Sequence, residues 1–187
     1  MTGLGKQRFG WYLYDFANSG FSTSVVTVFF GPYLTALATT AAAHGTTFSL
    51  LGIQLHPGSL YAGCVSLSVL LQVVILPLIG AFIDRTQRKR LILLTTATIG
   101  SACTAAMLTI TPATPLLFLL APVLFIVANL AFGASIVASN SFLNDLAEEH
   151  ERDGVSSRGW ALGYLGGGLL LAIHLVMFSR DRSEEHT

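Results

Sequence analysis

The chain has 187 residues, of which 52% are apolar and only 11% are Asp, Glu, Lys or Arg. Soluble domains carry roughly 25% charged residues, so a water-facing globular fold is excluded. A net charge of zero likewise excludes nucleic acid as a partner. Charge is missing altogether from 16–83, 91–144 and 159–179, runs of 68, 54 and 21 residues. A hydrocarbon core ~30 Å thick is crossed by about 20 helical residues. These runs therefore leave room for two crossings, two crossings and one, which predicts an all-α integral membrane protein with five transmembrane helices.

Span 1 is expected over about 11–38, where Trp11, Tyr12 and Tyr14 place an aromatic belt at its entry. Its apolar run exceeds the 7–15 residues of a cleaved signal peptide, so it reads as a retained helix. A neutral loop, 39–58, leads to span 2 over 59–83, which ends at the cluster Asp84 to Arg90. Span 3 is expected over 91–110. Pro112 and Pro115 then make a turn that no helix can continue through. Span 4 follows over 116–143, a charged connection over 145–158, and span 5 over 159–178. These runs are apolar on all sides, whereas barrel strands would alternate. Cys64 and Cys103 both sit inside apolar runs and read as small buried residues, not as a disulfide scaffold.

Direction follows from the basic residues. Lys6, Arg8, Arg85, Arg88, Lys89, Arg90, Arg152 and Arg158 all fall on one side of this five-span arrangement. The connections after spans 1 and 3 carry no Lys or Arg. The positive-inside rule then puts the N-terminus in the cytoplasm of a cell membrane. Arg180 and Arg182 break the pattern. The segment 182–187 reads as a non-native tail, with true sequence ending near Asp181.

Polar side chains inside spans are costly in lipid and are functional candidates for that reason. Asp15 and, one turn deeper, Asn18 line one face of span 1 together with Ser22. For Asp15 an interfacial cap and a proton-coupling role both stay open. Gln72 and Asn129 lie in mid-span, where each needs a hydrogen-bond partner; solute contact and interhelical bonding are equally open for both. Asn140, Asn144 and Asp145 share one end of span 4. His174 reads as a structural hydrogen-bonder toward the outer end of span 5. His44 and His56 fall short of the three or four ligands of a zinc site, so no metal or cofactor is expected. Gly159, Gly163 and Gly167 repeat every four residues, a ridge that lets a neighbouring helix approach closely. Ala131, Ser135 and Ser139 make a similar ridge on span 4.

Gly80-Ala81-Phe82-Ile83-Asp84-Arg85-Thr86-Gln87-Arg88-Lys89-Arg90 resembles the loop signature of the major facilitator superfamily, G-x-x-x-D-[RK]-x-G-[RK]-[RK]. Gly80, Asp84, Arg85, Arg88 and Lys89 match, and Gln87 stands at the signature's second glycine. Gly10 to Ser19 (GWYLYDFANS), Ala128 to Asp145 and Ser156 to Leu171 are similar to the vacuole-effluxer-like branch of that superfamily. The resemblance implies a secondary transporter of about twelve spans in two six-helix halves. Residues 1–181 would then be the N-terminal part of the first half, with the C-terminal half missing and the fragment inactive alone. It also implies a small solute, an amino acid or similar metabolite, moved by alternating access; coupling to protons stays open, with Asp15 its candidate. Asp84 would hold Arg88 in a charge-assisted pair at the cytoplasmic loop. A membrane enzyme would need a cluster of paired His or Asp at one depth, which the sequence lacks. A non-transporting scaffold is the alternative, but it has no need for Asn18, Gln72 or Asn129 inside the bilayer.

Overall fold

The computed structural model describes residues 3–41, 48–50, 53–110 and 119–184. Among them, five helices are long and apolar enough to cross a membrane: Gly3–Thr40, Pro57–Thr86, Lys89–Met107, Leu120–Leu146 and Glu149–Ser179, here spans 1 to 5. Hydrocarbon offers the backbone no hydrogen bonds, so each N–H must be satisfied within its own segment. The uncharged runs accordingly become helices, and the chain is a multi-pass membrane protein.

Span 1 is not one regular helix. It is α-helical over Gly3–Gly20, π-helical over Phe21–Phe29 and α-helical again over Phe30–Ala41. Two local features account for the break. Pro32 has no N–H to give the carbonyl of Val28 and its ring crowds that oxygen. Ahead of it, Thr23, Val25, Val26, Thr27 and Val28 are β-branched and stiff at χ1. The Thr27 hydroxyl donates to the Ser22 carbonyl five residues back, at 2.7 Å, following the π spacing.

The neutral loop after span 1 contains an unexpected hairpin. Phe48–Leu50 pairs antiparallel with Ile53–Leu55, Phe48 opposite Leu55 and Leu50 opposite Ile53. Span 2 then starts cleanly. Pro57 takes the first helical position, where a missing N–H costs nothing, and His56 Nδ1 accepts from the Gly58 N–H at 3.2 Å. Span 3 has 19 residues, about 28 Å of helix at 1.5 Å per residue. The Tyr33 hydroxyl donates to the carbonyl of Met107 at its end, 2.8 Å away. Just past that end, Leu108 is 86% exposed. The two-proline turn and His44 lie outside the described residues.

The charged stretch expected over 145–158 is more ordered than its charge suggested. Around it, span 4 ends in a short separate helix, Leu143–Leu146, and span 5 opens with a 3₁₀ turn, Glu149–Glu151. The final helix begins at Arg152, ahead of the expected Gly159, and runs to Glu184, into the segment read as a non-native tail.

The chain packs as two compact units, Met1–Phe29 with Phe142–Thr187, and Phe30–Ser141. In the first, Trp11, Leu146, Ala147 and Val155 form a buried cluster flanked by Tyr12, Phe142 and Leu143. Arg8 clamps it from the side, with Nε donating to the Leu146 carbonyl at 2.7 Å and its guanidinium paired with Glu151. In the second, Phe30 stacks on Phe125 with centroids 3.9 Å apart, and Tyr61 tilts against the pair.

Candidate functional site

The densest line of polar groups in the first unit runs along the seam between spans 1 and 5, and the glycine ridge makes that seam possible. A methyl group placed on Gly159 would lie 2.6 Å from the Trp11 ring. One on Gly163 would lie 2.6 Å from Asp15 Oδ2 and 2.9 Å from Ser19 Oγ, and one on Gly167 2.8 Å from the Thr23 side chain. All are closer than van der Waals contact permits, so a side chain at any of these positions would push the facing span 1 side chains aside. Gly166, which the four-residue period omits, is the tightest: a methyl there would collide with the backbone carbonyl of Phe16.

Along this seam the half-buried Asp15 carboxylate lies over Gly163, and no hydrogen bond or ion pair reaches it among the described residues. The nearby Ser19 hydroxyl donates to Asp15's own backbone carbonyl, 2.9 Å away. Deeper in, the Thr23 hydroxyl is within 2.9 Å of the Ser19 carbonyl and 3.3 Å of the Gly167 carbonyl, bridging the two helices. Deeper still, Ser24 Oγ is hydrogen-bonded to His174 Nδ1 at 3.1 Å. Asn18 is half-buried beside this line, and Ser22 donates to its own helix at the Ser19 carbonyl.

The loop signature occupies the junction of spans 2 and 3. Gln87 closes span 2 in the left-handed conformation, φ 54° and ψ 20°, with its N–H donating to the Ile83 carbonyl. It is the non-glycine residue at positive φ among those described, which is why the signature has glycine at this place. A Cβ in that conformation costs about 1–2 kcal/mol, partly offset here because the Gln87 side chain donates to the Asp84 carbonyl at 2.8 Å. Lys89 turns back and donates to the carbonyl of Ser141 at 3.0 Å, capping the end of the helix Leu120–Ser141. Arg85 and Arg88 are exposed. The charge-assisted pair expected at Asp84 does not form among the described residues: its carboxylate points into solvent with no ion pair. Gly80 packs on Val137, where an added methyl would find ordinary contact at 3.8 Å.

Gln72 and Asn129 meet each other, which decides how they are satisfied. Gln72 Nε2 donates to the Asn129 backbone carbonyl at 3.1 Å, and the buried Asn129 amide donates to Ser68 Oγ at 2.8 Å. Ser68 in turn donates to the Val65 carbonyl. This chain of bonds ties span 2 to span 4. Gly133 leaves room for it, since a methyl there would lie 3.1 Å from Gln72 Oε1. Asn140, Asn144 and Asp145 are exposed at the end of span 4. Among the described residues no three His, Cys, Asp or Glu are grouped to hold a metal.

Comparison with known proteins agrees across the chain. The family described as vacuole effluxer Atg22 like matches residues 5–187. Autophagy-related protein 22 of Neurospora crassa is 31% identical over 82% of this chain and 24% of its own length. The Uncharacterized MFS-type transporter YxiO of Bacillus subtilis is 27% identical over 96% of this chain and 39% of its own. The chain thus spans about a quarter of the first of these curated relatives and about two fifths of the second. No solved structure matches it.

Proposed function

Because this chain belongs to the vacuole effluxer Atg22-like family, we propose that it supplies five spans of the first six-helix half of a major facilitator transporter. That transporter moves a small solute across the membrane by alternating access, and its solute is an amino acid or similar metabolite. The N-terminus and the loop Asp84 to Arg90 face the cytoplasm. In such transporters the solute site lies between helical halves near the midplane, so these spans are one wall of the pathway and transport needs the remaining helices.

The observation that carries this reading is the half-buried Asp15 carboxylate set against the Gly163 backbone, with polar groups continuing inward to His174. An ionisable group in that setting costs ~2.5–3.5 kcal/mol at full depth, and packing alone does not require it. In the proposal Asp15 takes up and releases the coupling proton. Gln72 and Asn129 hold the bundle together, and Asn18 is the amide available to the solute.

The test is uptake of labelled amino acids by the full-length transporter in proteoliposomes, with and without a proton gradient. We expect saturable uptake that the gradient accelerates. Asp15→Asn should abolish the acceleration while leaving solute exchange intact. Absence of uptake for every amino acid tested would remove the solute class. Gradient-driven uptake by Asp15→Asn at the unmodified rate would remove the proton role.

A further inference from the structure

We infer that the turn joining spans 2 and 3 is a binding site for an anionic phospholipid, whose headgroup phosphate is held by Arg85, Arg88 and Arg90. The charges of this unit call for a partner from outside it. Within Phe30–Ser141 the Asp, Glu, Lys and Arg side chains are Asp84, Arg85, Arg88, Lys89 and Arg90, all in this turn. One acid therefore stands against four bases. Lys89 is drawn to the Ser141 carbonyl at 3.0 Å. Arg85, Arg88 and Arg90 are exposed and make no ion pair among the described residues. Span 3 does nothing to offset them: its first turn has no acidic residue and Arg88 gives it no side-chain cap. The positive end of its dipole adds to the same field.

The backbone concentrates these charges. Span 2 ends at Thr86 and span 3 begins at Lys89, so Gln87 and Arg88 alone connect them. The three guanidinium groups therefore share one end of a helix pair, where the uncharged runs stop and headgroups begin. Each is a planar fork that can bind phosphate oxygens in pairs. The surface beneath them favours a lipid over free phosphate. On span 2, Leu78, Phe82 and Arg85 follow at intervals of four and three and share a face; Leu78 is 65% exposed and Phe82 55%. On span 3, Arg90 stands one turn from Leu94, which is 66% exposed. Each helix thus presents an arginine above bare apolar surface, the same order as headgroup and acyl chain.

Native mass spectrometry of the full chain, in micelles holding equal amounts of phosphatidylglycerol and phosphatidylcholine, counts the lipids it retains. The unmodified chain should keep phosphatidylglycerol in excess. Combining Arg85→Gln, Arg88→Gln and Arg90→Gln should cut that excess about tenfold or more, since each basic group near a membrane surface is worth roughly fivefold in affinity for anionic lipid. The three Lys replacements at the same positions keep the charge and should keep most of the excess. Arg158→Gln, on span 5, should leave it unchanged. No excess in the unmodified chain, or one that survives the Gln replacements, would overturn the site. A Lys variant as poor as the Gln variant would overturn it too, because the loss would then not be one of charge. An equal loss in Arg158→Gln would place the lipid elsewhere. Displacement by inorganic phosphate at the lipid's own concentration would overturn the lipid as ligand. Absence of the excess in the full-length transporter would give this face to the remaining helices and likewise overturn the proposal.

Discussion

Gln87 and Asp84 show what single side chains do at the loop. Gln87 occupies a conformation that suits glycine, so Gln87→Gly should raise stability by ~1 kcal/mol, less the contribution of its bond to the Asp84 carbonyl. Gln87→Ala keeps the strain and loses the bond, and should fall below the parent. Unfolding midpoints of the three proteins in one detergent would give the order Gly, Gln, Ala; any order with Ala first removes the strain argument. Asp84 differs because its carboxylate has no ion pair among the described residues to lose. Asp84→Asn should therefore change stability by less than ~0.5 kcal/mol. In the proposed full-length transporter, where the resemblance gives Asp84 a charge-assisted bond to Arg88 or to a helix N-terminus of the remaining half in one of two states, it should lower the transport rate about five- to thirtyfold, the effect of ~1–2 kcal/mol on a two-state balance. Unchanged transport at equal expression would leave Asp84 with no part in the conformational change. The roles of Gln72 and Asn129 were only half legible from sequence. Each visibly needed a partner, but which atoms would meet depends on the relative rotation of two helices that are apolar all round.

At the scale of elements, the helices themselves could be read because lipid leaves the backbone one solution for each uncharged run. The ridge at Gly159, Gly163 and Gly167 could be read because neighbours on a helix face recur every three or four residues. Gly166 could not, since the face that touches Phe16 depends on the crossing angle of the two helices. The difference is measurable. Gly166→Ala must displace the Phe16 backbone and should cost ~1–3 kcal/mol. Gly168→Ala meets nothing within 4 Å and should stabilise the helix by ~0.5–1 kcal/mol. Equal unfolding midpoints for the two would mean that spans 1 and 5 do not pack through this ridge. The π segment left a fainter trace, a β-branched run ahead of Pro32. Sequence identifies such a stretch as a poor α-helix without saying which backbone replaces it.

For the molecule as a whole, orientation is the property most directly open to test. Single cysteines at Thr86 and Gln54, in a chain lacking Cys64 and Cys103, should label differently with an impermeant thiol reagent. Gln54, exposed on the hairpin strand Ile53–Leu55, should react in intact cells, and Thr86 only after the membrane is opened. The reverse pattern would invert the topology. The unequal lengths of the helices within the second unit carry a separate consequence. Span 3 provides about 28 Å of helix against about 45 Å for span 2, and Tyr33 fixes where span 3 stops. A long helix adapts to a thin bilayer by tilting, but a short one cannot lengthen to suit a thick one. Among the described helices, span 3 therefore sets the hydrophobic thickness that these five spans tolerate. Thicker membranes would draw the turn Leu108 to Ile110 beyond the helix into hydrocarbon. These five spans should be most stable in lipids whose acyl chains match span 3, the shortest of the described helices.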